Sequence, residues 1–86
     1  MVAQQIQAVG ALTECQRKLA SVHTTESTMI SVLISRTIAP LRMDKSVPTE
    51  IIRHAIQKIR RSHISDEQLK RVMINNLSML LQAHDV

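Results

Sequence analysis

The sequence predicts an all-α protein of three helices, or of four if the first helix is broken. Its 86 residues include no Phe, Tyr or Trp, so the core has to be built from aliphatic side chains and methionine, which favours closely packed helices over a broad sheet. One glycine and two prolines are too few for the repeated turns of an all-β domain. With 44% hydrophobic and 21% charged residues the composition is that of a globular chain, and at this length we expect one domain over residues 1–86.

A long N-terminal helix is predicted over about residues 4–38. Seven apolar residues recur there at alternating steps near three and four, which places them on one helical face. They are Ala8, Leu12, Cys15, Leu19, Val22, Met29 and Leu33. Apolar residues and serines alternate over 30–35 and would also fit a short strand, but no partner strand is evident, so we assign a helix. Pro40 restricts the residue before it, so we expect the helix to stop near residues 37–39.

The middle of this helix is its weak point. Glu26 stands where the apolar seam would continue, and the segment 23–28 around it has low helix propensity. We prefer one continuous helix. The alternative is two helices joined near residues 24–27, with Thr24 or Thr25 as the N-cap of the second.

The second helix is predicted over about residues 47–62. Pro48 suits its first helical position, and Glu50 in the first turn complements the positive end of the helix dipole. At about 100° per residue, five apolar side chains gather on one side. They are Ile51, Ile52, Ala55, Ile56 and Ile59. The opposite side, which we call the basic face, carries Arg53, Gln57, Lys58, Arg60 and Arg61, with His54 at its edge.

The third helix is predicted over about residues 65–83. Ser65 and Gln68 match a capping box, and Ile64 and Leu69 match the hydrophobic staple that often accompanies it. A helix starting at Ser65 would form a C-terminal helical hairpin with the second helix.

The apolar residues of the third helix cover well over half of its circumference, more than the stripe of an ordinary surface helix. Because two other helices would not enclose so much apolar surface, we predict that a partner chain, identical or different, covers part of it. The predicted partner-binding residues are Leu69, Val72, Met73, Asn76, Leu77, Leu80 and Leu81. A buried amide at Asn76 would need a hydrogen-bond partner and would specify a register or an oligomeric state.

The positive charge of the chain is concentrated in its middle third. The net charge is +4, and residues 36–63 hold seven basic and two acidic residues. Residues 1–35 hold two of each, and residues 64–86 hold two basic and three acidic ones. The simplest interpretation of a basic helix face is that it serves solubility alone. The two functional interpretations are that it steers an acidic protein or that it contacts nucleic-acid phosphates.

Residues suited to catalysis or metal binding are scarce. The four histidines include no pair at the i,i+4 spacing that helical zinc sites use, and the single cysteine, Cys15, lies on the apolar seam, where a buried thiol is inert. No glycine-rich phosphate loop or nucleophile elbow is present. We therefore expect no enzymatic activity, no cofactor, no metal and no small-molecule substrate.

The longest aliphatic run, residues 32–34, is too short for a membrane span and no leader is evident, so we expect no membrane partner and a cytoplasmic location.

These features predict a non-enzymatic helical protein-interaction module, such as a small adaptor, a chaperone-like protein or an assembly subunit. In this interpretation the third helix associates with the same or another chain, and the basic face binds an acidic partner. A further interpretation is that the chain is a fragment or a subunit of a larger assembly, in which another part of that assembly covers the apolar surface.

The alternative function is that of a small dimeric nucleic-acid-binding regulator that uses the basic helix over residues 53–61. A helix-turn-helix that reads DNA with the third helix is disfavoured, because Asp66 and Glu67 in its first turn would repel phosphates. One that reads DNA with the second helix would have a connector of about eight residues, longer than the three or four that are usual for this motif.

Overall fold

The computed structural model describes residues 3–84, and that part of the chain contains four α-helices and no strand. The helices are α1 (Ala3–Ala20), α2 (Thr25–Arg42), α3 (Thr49–Arg60) and α4 (Glu67–His84). The all-α prediction and its four-helix alternative are confirmed. The preferred single N-terminal helix was wrong, because the chain reverses direction between α1 and α2.

The four helices form a bundle in which each helix is antiparallel to the next. Helices α1 and α3 each pack against both α2 and α4, whereas the diagonal pairs make no close backbone contact. The molecule measures 34 × 20 × 19 Å, and an 18-residue helix is about 27 Å long, so the helices run along the long axis. Side chains from all four helices meet in one hydrophobic cluster. The largest fully buried side chains of that cluster are Leu12, Leu19, Ile34, Ile38, Ile59, Met73 and Leu77.

A capping box starts α2 and breaks the predicted long helix. The Thr24 hydroxyl oxygen accepts a hydrogen bond from the Ser27 backbone N–H at 3.0 Å, and the Ser27 hydroxyl oxygen accepts one from the Thr24 N–H at 3.1 Å. His23, just before the cap, has a left-handed backbone with φ of 55°. Glu26 interrupts the apolar seam for a tertiary reason, since its Oε1 accepts a hydrogen bond from the His63 N–H at 2.7 Å and so joins α2 to the α3–α4 connection.

The expected stop of the helix near residues 37–39 was wrong, because α2 continues through Pro40 to Arg42. Pro40 removes one backbone hydrogen bond, and the burial of Leu41 one residue later favours the additional turn. The helix ends in a Schellman motif: the Lys45 N–H donates to the Pro40 carbonyl at 2.8 Å and the Asp44 N–H to the Leu41 carbonyl at 3.1 Å.

The last two helices begin later than predicted. Pro48 is the N-cap of α3 rather than its first helical residue, while Glu50 does lie in the first turn. The predicted cap at Ser65 was wrong, since α4 begins at Glu67 and the Asp66 Oδ1 accepts a hydrogen bond from the Leu69 N–H at 3.0 Å. A carboxylate at this position satisfies the same orphan N–H as a serine would and also favours the positive end of the helix dipole.

Candidate partner-binding surfaces

The apolar side of α4 faces the interior of the bundle. Of the seven predicted partner-binding residues, Leu69, Met73, Leu77 and Leu80 are buried, and Val72, Asn76 and Leu81 are half-buried. The prediction rested on the premise that α4 has too few neighbours within its own chain. That premise was wrong, because α1 and α3 flank α4 and the core residues of α2 complete the cluster that α4 packs into. The inference that α4 needs a partner chain to cover it loses its support.

Asn76 forms a hydrogen bond within its own helix. Its Nδ2 donates to the Val72 carbonyl oxygen at 2.8 Å. Because no side-chain N or O atom in the described part of the chain is fully buried without a hydrogen-bond partner, the half-buried amide does not require a partner on another subunit.

The basic face lies on the outside of α3. Arg53, Gln57, Lys58, Arg60 and Arg61 are all exposed, because the isoleucines and the alanine of the opposite side are taken into the core. Between residues 3 and 84 the structure records no hydrogen bond or ion pair for these five side chains. One ion pair joins Arg17 to Glu14 on α1, which is diagonal to α3. The guanidinium and ammonium groups of the basic face are thus displayed to solvent together.

An apolar groove runs along the outer surface between α2 and α3, beside the basic face. Its volume is about 880 Å³, and its floor includes Met29 and Val32, whose side chains are 50% and 46% exposed, together with the half-buried Leu33. We call it the α2–α3 groove. The sequence pattern had placed Met29 and Leu33 on the inner seam. For Met29 that assignment was wrong, because the reversal between α1 and α2 starts a new helical phase in which Ile30, Ile34, Ile38 and Leu41 are the buried positions. Leu33 is half-buried and does pack against the core.

Positive charge surrounds this apolar floor. Arg36 of α2 and His54 and Lys58 of α3 line the α2–α3 groove, together with His23 and three threonines at one end, and no carboxylate does. Four smaller pockets on the described part of the chain each include at least one carboxylate. These come from Glu14, Glu26, Asp44, Asp66 and Glu67. Lys58 belongs both to the basic face and to the groove, so the two surfaces are continuous.

The one cysteine sits in the interior. Cys15 is a free thiol with 3% of its surface exposed, and desolvation by this burial raises the pKa of the thiol, with a smaller opposing effect from Lys18 and a further rise from Glu14. A protonated, inaccessible thiol is a poor nucleophile.

Among residues 3–84 no cluster of three or more His, Cys, Asp or Glu side chains is arranged to hold a metal ion. None of the described helices combines the length and the hydropathy needed to cross a bilayer.

Comparisons of the chain with models of known protein families, with curated proteins and with solved structures found no match. A helical bundle by itself hosts many unrelated functions. The function has therefore to be argued from the surfaces described above, of which the basic face and the α2–α3 groove are the exposed ones.

Proposed function

We propose that the chain is a non-enzymatic protein-interaction module that binds an acidic partner through the basic face of α3. The observation that supports this most directly is the exposure of Arg53, Lys58 and Arg60 of α3, and of Arg61 at its C-cap, without a counter-ion in the described part of the chain. Charges displayed together in this way create a field that steers an oppositely charged partner and fixes its register.

The distribution of charge favours recognition over solubility alone. A solubilising role needs charge on all sides, but residues 36–63 hold seven basic residues against two acidic ones, while the rest of the chain is close to balanced. The charges are also held on a rigid element, since Ile52, Ile56 and Ile59 anchor α3 in the core. A pre-organised surface loses less conformational entropy on binding than a flexible basic segment does.

This proposal uses a different surface from the one first predicted for association. The buried side chains of α4 are left out, and the contact falls to α3 and the neighbouring groove. A small adaptor or assembly subunit of this kind would suit the cytoplasm, because its one cysteine is a buried free thiol and no disulfide supports the fold.

A nucleic-acid-binding regulator remains the competing function, because the same basic groups would neutralise phosphates. The chain has no aromatic residue on which exposed bases could stack. The apolar floor of the α2–α3 groove contributes nothing to phosphate binding. Both features favour a protein partner over nucleic acid.

The proposal is tested by capturing binding partners from an extract of cells that express the protein. Three versions are immobilised: the wild type, a double variant of the basic face, Arg53→Glu with Arg60→Glu, and a control on α1, Arg17→Glu with Lys18→Glu. The two double variants change the net charge equally and replace exposed residues. The α1 variant also removes the Arg17–Glu14 ion pair, an exposed contact of small energetic value, so circular dichroism first confirms that both variants are folded. Each extract is divided, and one half is treated with nuclease.

We expect an acidic protein to be retained by the wild type and the α1 variant and to be lost from the basic-face variant by about tenfold or more, which corresponds to about 1.4 kcal/mol. After purification, its affinity for the wild type should fall as ionic strength rises. Equal retention by both double variants would show that the basic face is not the binding site. Loss of all retained material after nuclease treatment would favour the nucleic-acid regulator.

A further inference from the structure

Exposed apolar side chains come together in the α2–α3 groove. Five large hydrophobic residues of the described chain are more than a third exposed, namely Ile6, Val22, Met29, Val32 and Met43. Met29 and Val32 are three residues apart, which puts them side by side on the outer surface of α2. Both line the groove, with Leu33 beside them. Single exposed apolar residues are ordinary on a protein surface, but these lie together in a concave groove, where a partner can bury them.

We infer that the α2–α3 groove binds an amphipathic helix of another protein, one that carries acidic residues along the edges of its apolar stripe. This inference rests on the proposed function and names the segment of the partner that the module recognises. Three features of the groove favour this occupant: its shape, its charge, and the symmetry that binding of a second copy would impose.

The shape of the groove fits a helix. Its walls are two antiparallel helices, and the residues that line it on α2 extend from Thr25 to Arg36, a length of about 17 Å or three helical turns. The apolar residues of a third helix pack into the groove between two such neighbours by the same ridge-and-groove geometry that holds the bundle together. A bound helix of about 12 residues would place apolar residues at i, i+3 or i+4, and i+7 over Met29, Leu33 and Val32.

The charge of the rim fits an acidic helix. Arg36 lies on the α2 wall and Lys58 lies on the α3 wall, so carboxylates on either edge of the bound helix would meet a cationic group. His54, also on the α3 wall, offers a ring N–H as a further hydrogen-bond donor. The groove has no carboxylate of its own to repel them. A basic helix would instead be excluded by Arg36 and Lys58, which gives the groove specificity as well as attraction.

A second copy of this chain is the less favourable occupant. A twofold dimer pairs the same patch on both subunits, so a groove-to-groove contact would bring the cationic rims of the two subunits, each with Arg36 and Lys58, against each other. Like charges directly opposed in an interface cost binding energy. The α2–α3 groove is therefore suited to a partner of opposite charge rather than to self-association.

The test uses a displayed library of peptides about 16 residues long. Leu, Ile, Val, Met or Phe occupy the positions of one helical stripe, and the remaining positions are drawn equally from Glu, Asp, Lys, Arg, Ala and Gln. Selection against the wild-type protein then reports the preferred charge without assuming it. We expect the selected peptides to be enriched in Glu and Asp beside the stripe.

Two double variants locate the binding site of the selected peptides. Met29→Gln with Val32→Thr makes the floor polar, and Ile6→Gln with Met43→Gln replaces two somewhat more exposed apolar residues outside the groove. Circular dichroism confirms that both are folded. The groove variant should bind the peptides about tenfold more weakly than the wild type, and the control should bind them as the wild type does.

The outcomes separate this inference from the proposed function. Peptides that bind both double variants equally well but are lost on Arg53→Glu with Arg60→Glu would overturn the groove and leave the basic face standing. Failure to select any helical peptide, or selection of basic ones, would also overturn the inference, and the capture experiment would then decide the proposed function by itself. Peptides that require the groove but show no preference for acidic residues would refute the role of the cationic rim.

Discussion

Replacement of Leu77 by alanine tests whether the apolar side of α4 serves its own bundle or a partner chain. Leu77 is 0% exposed and belongs to the core cluster to which all four helices contribute. Leu81, four residues later on the same helix, is half-buried at the edge of that cluster. The same substitution at the two positions removes the same atoms from two different environments.

The expected loss of stability follows from the burial. Leucine to alanine removes three carbon groups, which at about 0.8 kcal/mol each lowers the free energy of unfolding by about 2.4 kcal/mol before any cavity forms. The unfilled space adds to this, and fully buried leucines in other proteins lose about 3 to 5 kcal/mol in total. For Leu81→Ala we expect about 1 kcal/mol, because that side chain is already partly exposed to water and its removal at the edge of the core leaves less enclosed space. Chains of this length have a stability on the order of 4 to 13 kcal/mol, so Leu77→Ala is a severe change.

Urea denaturation followed by circular dichroism measures both variants. At an m-value of about 1.5 kcal/mol per M, Leu77→Ala should lower the midpoint by roughly 2 to 3 M and Leu81→Ala by less than about 1 M. The midpoints should not depend on protein concentration, because the contacts lie within one chain. A Leu77 effect that shrinks on dilution, or equal effects at the two positions, would show that α4 is an interface after all. If Leu77→Ala does not fold, Leu77→Val is measured, with an expected loss of about 1 kcal/mol.

Other substitutions test the helix ends and the buried thiol. Asp66→Ala should lower the free energy of unfolding by about 1 kcal/mol through loss of the α4 cap, whereas Ser65→Ala should change it by less than about 0.5 kcal/mol; equal urea midpoints for the two would contradict the capping role of Asp66. At His23, whose backbone is left-handed, we expect the free energy of unfolding to be about 1 to 2 kcal/mol higher for His23→Gly than for His23→Val. Thermal denaturation checks the order, and a higher melting temperature for the valine variant would exclude that conformation. Burial raises the pKa of the Cys15 thiol above its ordinary value of 9.0. Above that pH the unfolded chain loses the thiol proton while the folded chain still keeps it. The contribution of the protonated thiol to stability is therefore present below pH 9.0 and is lost as the pH rises further. The stability of Cys15→Ala should therefore fall less than that of the wild type between about pH 8 and pH 10, and parallel pH profiles would refute the assignment.

The basic face could be predicted from the sequence because it depends on a local period. Arg53, Gln57 and Arg60 recur at spacings that put them on one side of any helix, and Ile52, Ile56 and Ile59 recur on the other. No tertiary contact was needed to infer which side would be buried, since only one side was apolar. The exposure of the five side chains in the structure agrees with that pattern.

The groove could not be predicted in the same way because it depends on the phase of one helix relative to another. The hydroxyl groups of Thr24 and Ser27 end one helical run and begin a second, and a shift of a few residues rotates the whole face of a helix. Met29 thereby changes from an expected core residue to an exposed one, and Ile30 takes its place inside. The capping pair was visible in the sequence as Thr followed three residues later by Ser, but that pattern is weaker than the usual Glu or Gln at the third position.

The sequence by itself determined the helical class, the basic face of α3 and the approximate positions of the last two connections, because these depend on composition and on the spacing of neighbouring residues. The tertiary structure alone decided that the apolar residues of α4 are interior and that Met29 and Val32 are displayed beside Arg36 and Lys58. The physical reason is that burial is a property of the whole bundle: an apolar side chain is inside or outside according to which helices surround it, and a local sequence pattern does not specify its neighbours.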